Sequence, residues 1–324
     1  MAPTKITVNP ILPQTKTVAT RGPQSFVQRL LKFSIQLAQN TQSNQPATFT
    51  NGQNAVTIEG LRASVQVTNS GAPANNSAVV RVWGLSQNLM NQLTTLGMVY
   101  QQIKRNTLTI LAGDNTSGFT AIFTGTIAQA YADYSNQPDV PFIFECQTGL
   151  ADNVAPAVAS SFTGPTAVAD IAAGLARQMN RGFVNNGVTG QLRNPYYSGN
   201  LDSQLQRLAR DAPFDWTYEN GTTLVIWPKG RNRTGGDIPL ISKTSQMIVS
   251  PTFTAQGIIV RTIFQPKLSR GQLFKVETAV ALGTAQWTVQ KIDHALDSMI
   301  YNGRWESTLY GYNPQYQTPV PPKA

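Results

Sequence analysis

From Leu31 to Leu37 an apolar side chain falls on every second residue (Leu31, Phe33, Ile35, Leu37), with Lys32, Ser34 and Gln36 between them. That period of two belongs to a half-buried strand. A helical face drawn through Phe26, Leu30, Phe33 and Leu37 leaves more of the polar residues unexplained. The alternation returns at Leu61, Ala63, Val65 and Val67, across 79–83, at Leu108 and Ile110, at Phe119, Ala121 and Phe123, and at Phe142 and Phe144. Residues 114–118 read as a turn, and Ser86 as the N-cap of a short helix with Leu89, Leu93 and Leu96 on one face. About six strands with one inserted helix predict a small barrel or sandwich over residues 28–150.

Residues 151–235 change period. Val168, Ile171, Ala172, Leu175 and Met179 recur at helical spacing after Pro165-Thr166, which predicts a first turn near that dipeptide. Leu201, Leu205 and Leu208 form a second stripe, closed by Pro213. Phe214, Trp216 and Tyr218 then alternate up to Asn220-Gly221, a strong hairpin signal, and Leu224 and Ile226 return. The prediction is a helix, helix, hairpin module. Beyond a turn-rich stretch, a second strand series follows at 258–264, 273–277, 287–292 and 305–309, with Gly271 as the turn entering the second of these. The expected division is an extended proline-rich arm at 1–27, a strand block at 28–150, an α/β module at 151–235, a second strand block at 236–310 and a proline-rich tail at 311–324.

Two sheets that each close on themselves, joined through a small module, suit a scaffold better than a catalytic cleft. Composition agrees, because 13% charged residues is about half the usual share and predicts a surface largely covered in use. The excess of 25 lysines and arginines over 16 aspartates and glutamates is compatible with a polyanionic partner. Cys146 is the single cysteine, so no internal disulfide forms, and its apolar neighbours predict a packing role. No apolar run reaches the length of a membrane span and the N-terminus lacks a signal-peptide pattern, so the expectation is no membrane anchor and assembly in a cytoplasm.

Enzymatic chemistry has little material. His294 is the only histidine, which removes the common histidine-rich metal sites, and one cysteine removes a thiolate zinc site. Asp293, His294, Asp297 and Ser298 are close in sequence, but strand neighbours point to opposite faces and no glycine-flanked nucleophile elbow accompanies them. A glycosidase needs only two carboxylates. The five glutamates, Glu59, Glu145, Glu219, Glu277 and Glu306, lie mostly in predicted strands without a cleft signature. No phosphate-binding loop or dinucleotide fingerprint occurs. We assign no catalytic residue, no cofactor-binding residue and no metal ligand. Lys229, Arg231 and Arg233, with Arg261, Lys267, Arg270 and Lys275, form basic clusters near Trp227 and Phe264 that suit phosphate contacts and base stacking.

Several stretches carry a resemblance. Thr57-Ile-Glu-Gly-Leu-Arg-Ala, Val80-Arg-Val-Trp-Gly-Leu-Ser, Met90-Asn-Gln-Leu-Thr, Ala112-Gly-Asp and Phe123-Thr-Gly-Thr-Ile resemble the N-terminal part of bacteriophage baseplate hub proteins. Arg261-Thr-Ile-Phe-Gln-Pro, Gly271-Gln-Leu-Phe-Lys-Val-Glu, Trp287-Thr-Val-Gln-Lys-Ile-Asp-His-Ala-Leu-Asp-Ser and Trp305-Glu-Ser are similar to their C-terminal part. The resemblance implies a mainly β fold in which two tail-tube-like β-barrel domains flank the helix-helix-hairpin domain. It further implies a structural virion protein of the tail: a homotrimer that meets a hexameric tail tube protein on one side and a trimeric spike or tail-tip protein on the other. Its channel would pass DNA transiently and meet the tape-measure protein. A tail-associated peptidoglycan hydrolase and a non-specific nucleic-acid-binding protein are the alternative readings.

Overall fold

A computed structural model describes residues 27–38, 47–95, 106–154, 157–280 and 283–313. Leu96, the arm up to residue 26 and the tail from Pro314 lie outside the described residues. The first strand series comprises β1 (Leu30–Gln36), β2 (Ala55–Glu59), β3 (Ala63–Asn69), β4 (Ser77–Trp83), helix α1 (Gln87–Leu93), β5 (Thr107–Asp114), β6 (Gly118–Ala132) and β7 (Pro141–Gln147). Then come α2 (Leu150–Val154), β8 (Ser160–Ser161), β9 (Pro165–Ala167), α3 (Val168–Gln178), β10 (Gly182–Asn185), β11 (Gln191–Arg193), β12 (Tyr196–Tyr197), α4 (Leu201–Asp211), β13 (Phe214–Glu219) and β14 (Thr223–Pro228). The second series is β15 (Leu240–Ile241), β16 (Met247–Thr254), β17 (Gly257–Ile263), β18 (Leu273–Val276), β19 (Ala285–Ser298) and β20 (Trp305–Tyr312).

The period of two translates directly into burial. Leu31, Phe33 and Ile35 of β1, Val65 and Val67 of β3, Val80 and Val82 of β4, Leu108 and Ile110 of β5, and Phe142 and Phe144 of β7 all meet in one buried cluster. A single-layered sheet can gather the inward faces of so many strands only by curling, so the first series wraps around its core like a barrel. Ile241, Val260, Phe274, Trp287, Val289 and Leu309 form a separate, smaller core inside the second series. The module between them has its own core, where α3 and α4 bury Ile171, Leu175, Leu205 and Leu208 against Phe214, Trp216, Leu224 and Ile226. Caps set the helix starts. The Leu89 N–H donates to Ser86 Oγ at 3.3 Å, and the Ser203 N–H to Asn200 Oδ1 at 2.8 Å.

The structure departs from the sequence reading in several places. Pro165 and Thr166 do not open α3; they pair with Leu192 and Arg193 as a short ladder, and the helix starts one residue past Ala167, which supplies no side-chain cap. The module also has a third strand, β10, lying parallel to β14. Finally, the two strand series are not two independent sheets. β3 and β19 pair from Ala63↔Ser298 to Asn69↔Ile292, which joins both series in one hydrogen-bonded ladder ordered β16-β17-β20-β19-β3-β4-β7-β6-β5-β1-β2.

That order contains a repeat. β3-β4-β7-β6-β5 and β16-β17-β20-β19-β18 follow the same path when each series is read in chain order. The two paths also share a local irregularity. The β6–β7 ladder shifts register between Ile127 and Gln129, and the β19–β20 ladder between Val289 and Lys291. Aligned on these bulges, Thr126 corresponds to Thr288, Phe144 to Leu309, Val80 to Val260 and Arg81 to Arg261. α1 is an insertion in the first copy, since β17 runs on to β18 without a helix.

Candidate functional site

The histidine lies inside β19 and is only 4% exposed. Its Nδ1 is 2.8 Å from Ser307 Oγ, and that oxygen already accepts the Gln265 N–H at 2.9 Å. Either neutral tautomer satisfies this contact, since the serine hydroxyl can donate to Nδ1 or accept from it. Burial pushes the His294 pKa down to about 4, against a small opposing pull from Asp293. Phe264 packs edge-on against the ring at 5.4 Å and against Trp305 at 5.5 Å. Ser307 has no exposed surface, so this Ser–His contact is closed to substrate.

The other members of the imagined arrangement point elsewhere. Asp297 accepts from Ser64 Oγ at 2.7 Å and from the Arg304 backbone N–H at 2.8 Å, and Ser298 Oγ donates to the Arg29 carbonyl at 3.2 Å. These bonds tie β19 to β3 and to the start of β1. The glutamates sit on separate strands: Glu59 pairs with Lys32 at 2.7 Å, Glu219 with Arg233 at 3.0 Å and Glu306 with Arg261 at 2.8 Å. The crevice beside His294 includes Glu219 and Arg270 but measures about 10 Å³, room for a single water. Among the described residues, no three His, Cys, Asp or Glu side chains are grouped to hold a metal ion. Cys146 is buried, and desolvation pushes its thiol well above the usual range, which makes it inert. No helix among the described residues is long and apolar enough to cross a membrane.

Part of the basic clusters is committed to contacts within the chain. Arg270 Nη1 donates to the Trp216 carbonyl at 2.9 Å, its guanidinium lies 5.6 Å from the Trp227 ring, and its Cδ stands 2.0 Å from where a Cβ on Gly71 would be. Arg233 bonds Glu219 and also donates to the Arg270 carbonyl at 3.3 Å. Trp227 is buried between these two arginines. The group thus bolts the β3–β4 loop, the module and the second strand series together, while Lys229, Arg231, Lys267 and Lys275 remain exposed. Arg270→Ala should cost about 2 kcal/mol through the lost charged hydrogen bond and stem packing, whereas Arg231→Ala should change stability by less than about 0.5 kcal/mol. Urea unfolding of both variants checks this, and equal losses would contradict it.

What remains exposed and apolar is a sheet edge. β16 buries no residue fully; Ile248, Val249 and Phe253 are 45%, 50% and 43% exposed, and Ile263 on adjacent β17 is 47% exposed. β16 ends the ladder, and among the described residues no strand pairs with its outer side. The strand has no charged residue, and Pro251 falls in the register shift between Val249 and Thr252. Sheet edges are blunted by charges, by proline or by bulges; β16 lacks the first and carries the other two, while its apolar side chains stay exposed. The sequence could have signalled it, because 247–254 is a β-branched and aromatic run without alternation.

Two solved structures that share this fold carry the description of tail protein. The 43 kDa tail protein of prophage MuSo2 from Shewanella oneidensis superposes with a TM-score of 0.58 at 11% identity, covering 90% of this chain and 98% of that one. A tail protein from Neisseria meningitidis MC58 gives 0.59 at 9% identity, over 88% and 96%. A chain of the lidded Francisella PdpA–VgrG complex gives 0.51 at 9% identity, over 91% of this chain and 54% of that one. At such identities these likenesses establish the fold alone. No curated protein matches the sequence. The family model of the baseplate hub gp41 does match, over residues 46–301, which is most of the chain, and together with the mainly β fold it leads to one conclusion: this chain belongs to the baseplate hub gp41 family, structural proteins of the bacteriophage tail.

Proposed function

We propose that the protein forms a homotrimer in the virion tail, joining a hexameric tail tube to a trimeric spike or tail-tip protein and lining the channel for DNA and the tape-measure protein. The observation that carries this reading is the repeated strand order, β3-β4-β7-β6-β5 and β16-β17-β20-β19-β18. A threefold object meets a sixfold tube without mismatch when each protomer offers two similar faces, a requirement of closed symmetry. The division at 28–150, 151–235 and 236–310 belongs to the same proposal, supported by three buried cores, each drawn mainly from one stretch. A spike partner is supported by the likeness to a chain of a VgrG complex.

The protein acts without catalysis in this reading. His294 has no accessible partner, and no two glutamates share the crevice beside it. Native mass spectrometry of the full chain, alone and with tube or spike protein, should report three copies per particle; a monomer within assembled tails would oppose the proposal. The pure protein should leave peptidoglycan intact in a zymogram. Clearing that disappears on replacing one glutamate would favour a hydrolase.

A further inference from the structure

We infer that the junction over His294 is a pH-sensitive latch: on mild acidification the α/β module lifts from the two strand series as a unit and wets the histidine, before either series unfolds. The inference goes beyond the hub reading and holds for any number of copies.

The module is joined to the rest of the chain mainly by polar contacts. Its core is nearly self-contained: among the described residues, the one from outside 151–235 that packs on it is Ala72, in the β3–β4 loop. Along β13, Trp216 and Tyr218 belong to that core, so by alternation Asp215, Thr217 and Glu219 face away from it, toward the strand series. A short set of hydrogen bonds holds this face down. Arg270 donates to the Trp216 carbonyl at 2.9 Å, Asn76 Nδ2 to the Tyr218 carbonyl at 3.1 Å, and Thr288 Oγ1 to Asn232 Oδ1 at 2.6 Å. Two crevices of about 10 Å³ each flank Asn76, one beside Asp202 and one reaching His294, and Thr217 lines both. Parting this contact wets polar groups and leaves the apolar cores closed, so it costs less than opening either strand series.

His294 lies at the base of the second crevice. Thr217–Asn220 form one wall and residues 266–270 another, which Leu268 anchors in the core of the second strand series. The charged and titratable groups around the ring are Tyr218 and Glu219 from β13, Arg270 from the facing loop and Asp293 on its own strand. Arg233 holds Glu219 at 3.0 Å, Lys291 holds Asp293 at 2.8 Å, and Asp215 acts on Arg270 from the module side. β3, β6 and β20 contribute Asn69, Ile122 and Ser307, and Phe264 packs on the ring, all without charge. A proton on the closed ring would therefore add a positive charge beside Arg270, where both nearby carboxylates are already paired.

Water accepts that charge freely, so opening is linked to protonation. The ring titrates at about 4 in the closed junction and at about 6.5 once wetted, and acid favours the open form between those values. The open fraction should rise about twentyfold from pH 7 to pH 5. Unfolding of the whole chain is favoured by the same proton, but it starts from a far smaller population.

Thiol labelling of full-length Thr217→Cys tests this with an internal reference, because the new thiol lines the junction whereas Cys146 is buried in the core of the first series. The probe is a pyridyl disulfide, which reacts in acid, and each rate is divided by that of the urea-unfolded chain at the same pH. The thiol at 217 should label about tenfold or more faster than Cys146 at pH 5. Its own rate should rise about twentyfold from pH 7 to pH 5, and adding His294→Gln should abolish that rise. Equal rates at the two thiols would mean that the junction opens only when the whole chain does, and would overturn the latch. A rate at 217 that ignores pH, or a rise that survives His294→Gln, overturns it as well. Should His294→Gln not fold, the imidazole NMR signal of this single histidine gives the same answer: it should titrate in step with the labelling at 217, and a ring that stays neutral while the junction opens overturns the latch. None of these outcomes touches the hub assignment.

Discussion

Replacing Gly221 with alanine should lower stability by about 3 kcal/mol or more, because two penalties fall on one residue. Gly221 has φ +76°, a region that costs a side chain about 1–2 kcal/mol. A Cβ there would also lie 1.7 Å from the Thr124 carbonyl oxygen in β6. That neighbour is backbone held in the β5–β6 ladder and cannot swing aside. Gly221 is the tip of the β13–β14 hairpin, and its carbonyl accepts from Arg181 Nη1 at 3.0 Å while Arg181 pairs with Asp152 at 2.6 Å. Moving the tip therefore disturbs the seat of the module on the first strand series. Gly230 supplies the control, since its φ is +72° with nothing within 4 Å of a Cβ. Gly230→Ala should cost only about 1 kcal/mol, the conformational share. Urea midpoints of the two variants decide it, and equal losses would mean that the hairpin tip is not wedged against β6.

The second large effect is on acid stability. His294 has a folded pKa pushed down to about 4, against about 6.5 in an unfolded chain. Between those values the unfolded chain binds a proton that the folded chain refuses, so stability rises with pH there. The contribution is fully present above about pH 6.5 and is lost as pH falls toward 4, an amount of about 3 kcal/mol. Protonation puts a proton on both ring nitrogens, so Nδ1 can then only donate to Ser307 Oγ. His294→Gln should start from a lower stability at pH 7 and lose correspondingly less on acidification. Denaturant unfolding of both proteins at pH 7 and pH 4.5 measures the difference, to which carboxylates common to both contribute nothing. Identical pH slopes would show that the imidazole titrates as freely folded as unfolded.

Strand by strand, legibility tracked burial. β1, β3, β4 and β17 were readable because one face is buried and the other is not. β16 was missed because neither of its faces is buried within the chain, so 247–254 carries no alternation. β10, with only Phe183 partly buried in its run, was missed for the same reason. α3 and α4 were plain from their stripes, yet the start of α3 was misplaced because Pro165 and Thr166 were claimed by a ladder with residues distant in sequence. The basic clusters were visible as composition, but spacing cannot tell an arginine that faces solvent from one that spans a junction. Arg270 does the latter, lodged against glycine at 71 and tryptophans at 216 and 227.

By itself the sequence determined most of the local periods: where most strands and helices run, which face of each is apolar, and where Ser86 caps. Those properties depend on neighbours within a few residues. Only the tertiary structure decided that β3 pairs with β19, that the two series repeat one strand path, and that Ser307 rather than Ser298 meets His294. Each of these joins residues whose equivalents need share nothing but a position in the ladder. Val80 matches Val260 while Phe142 matches Ser307, so the repeat is written in hydrogen-bond register, and register exists only once the chain has folded.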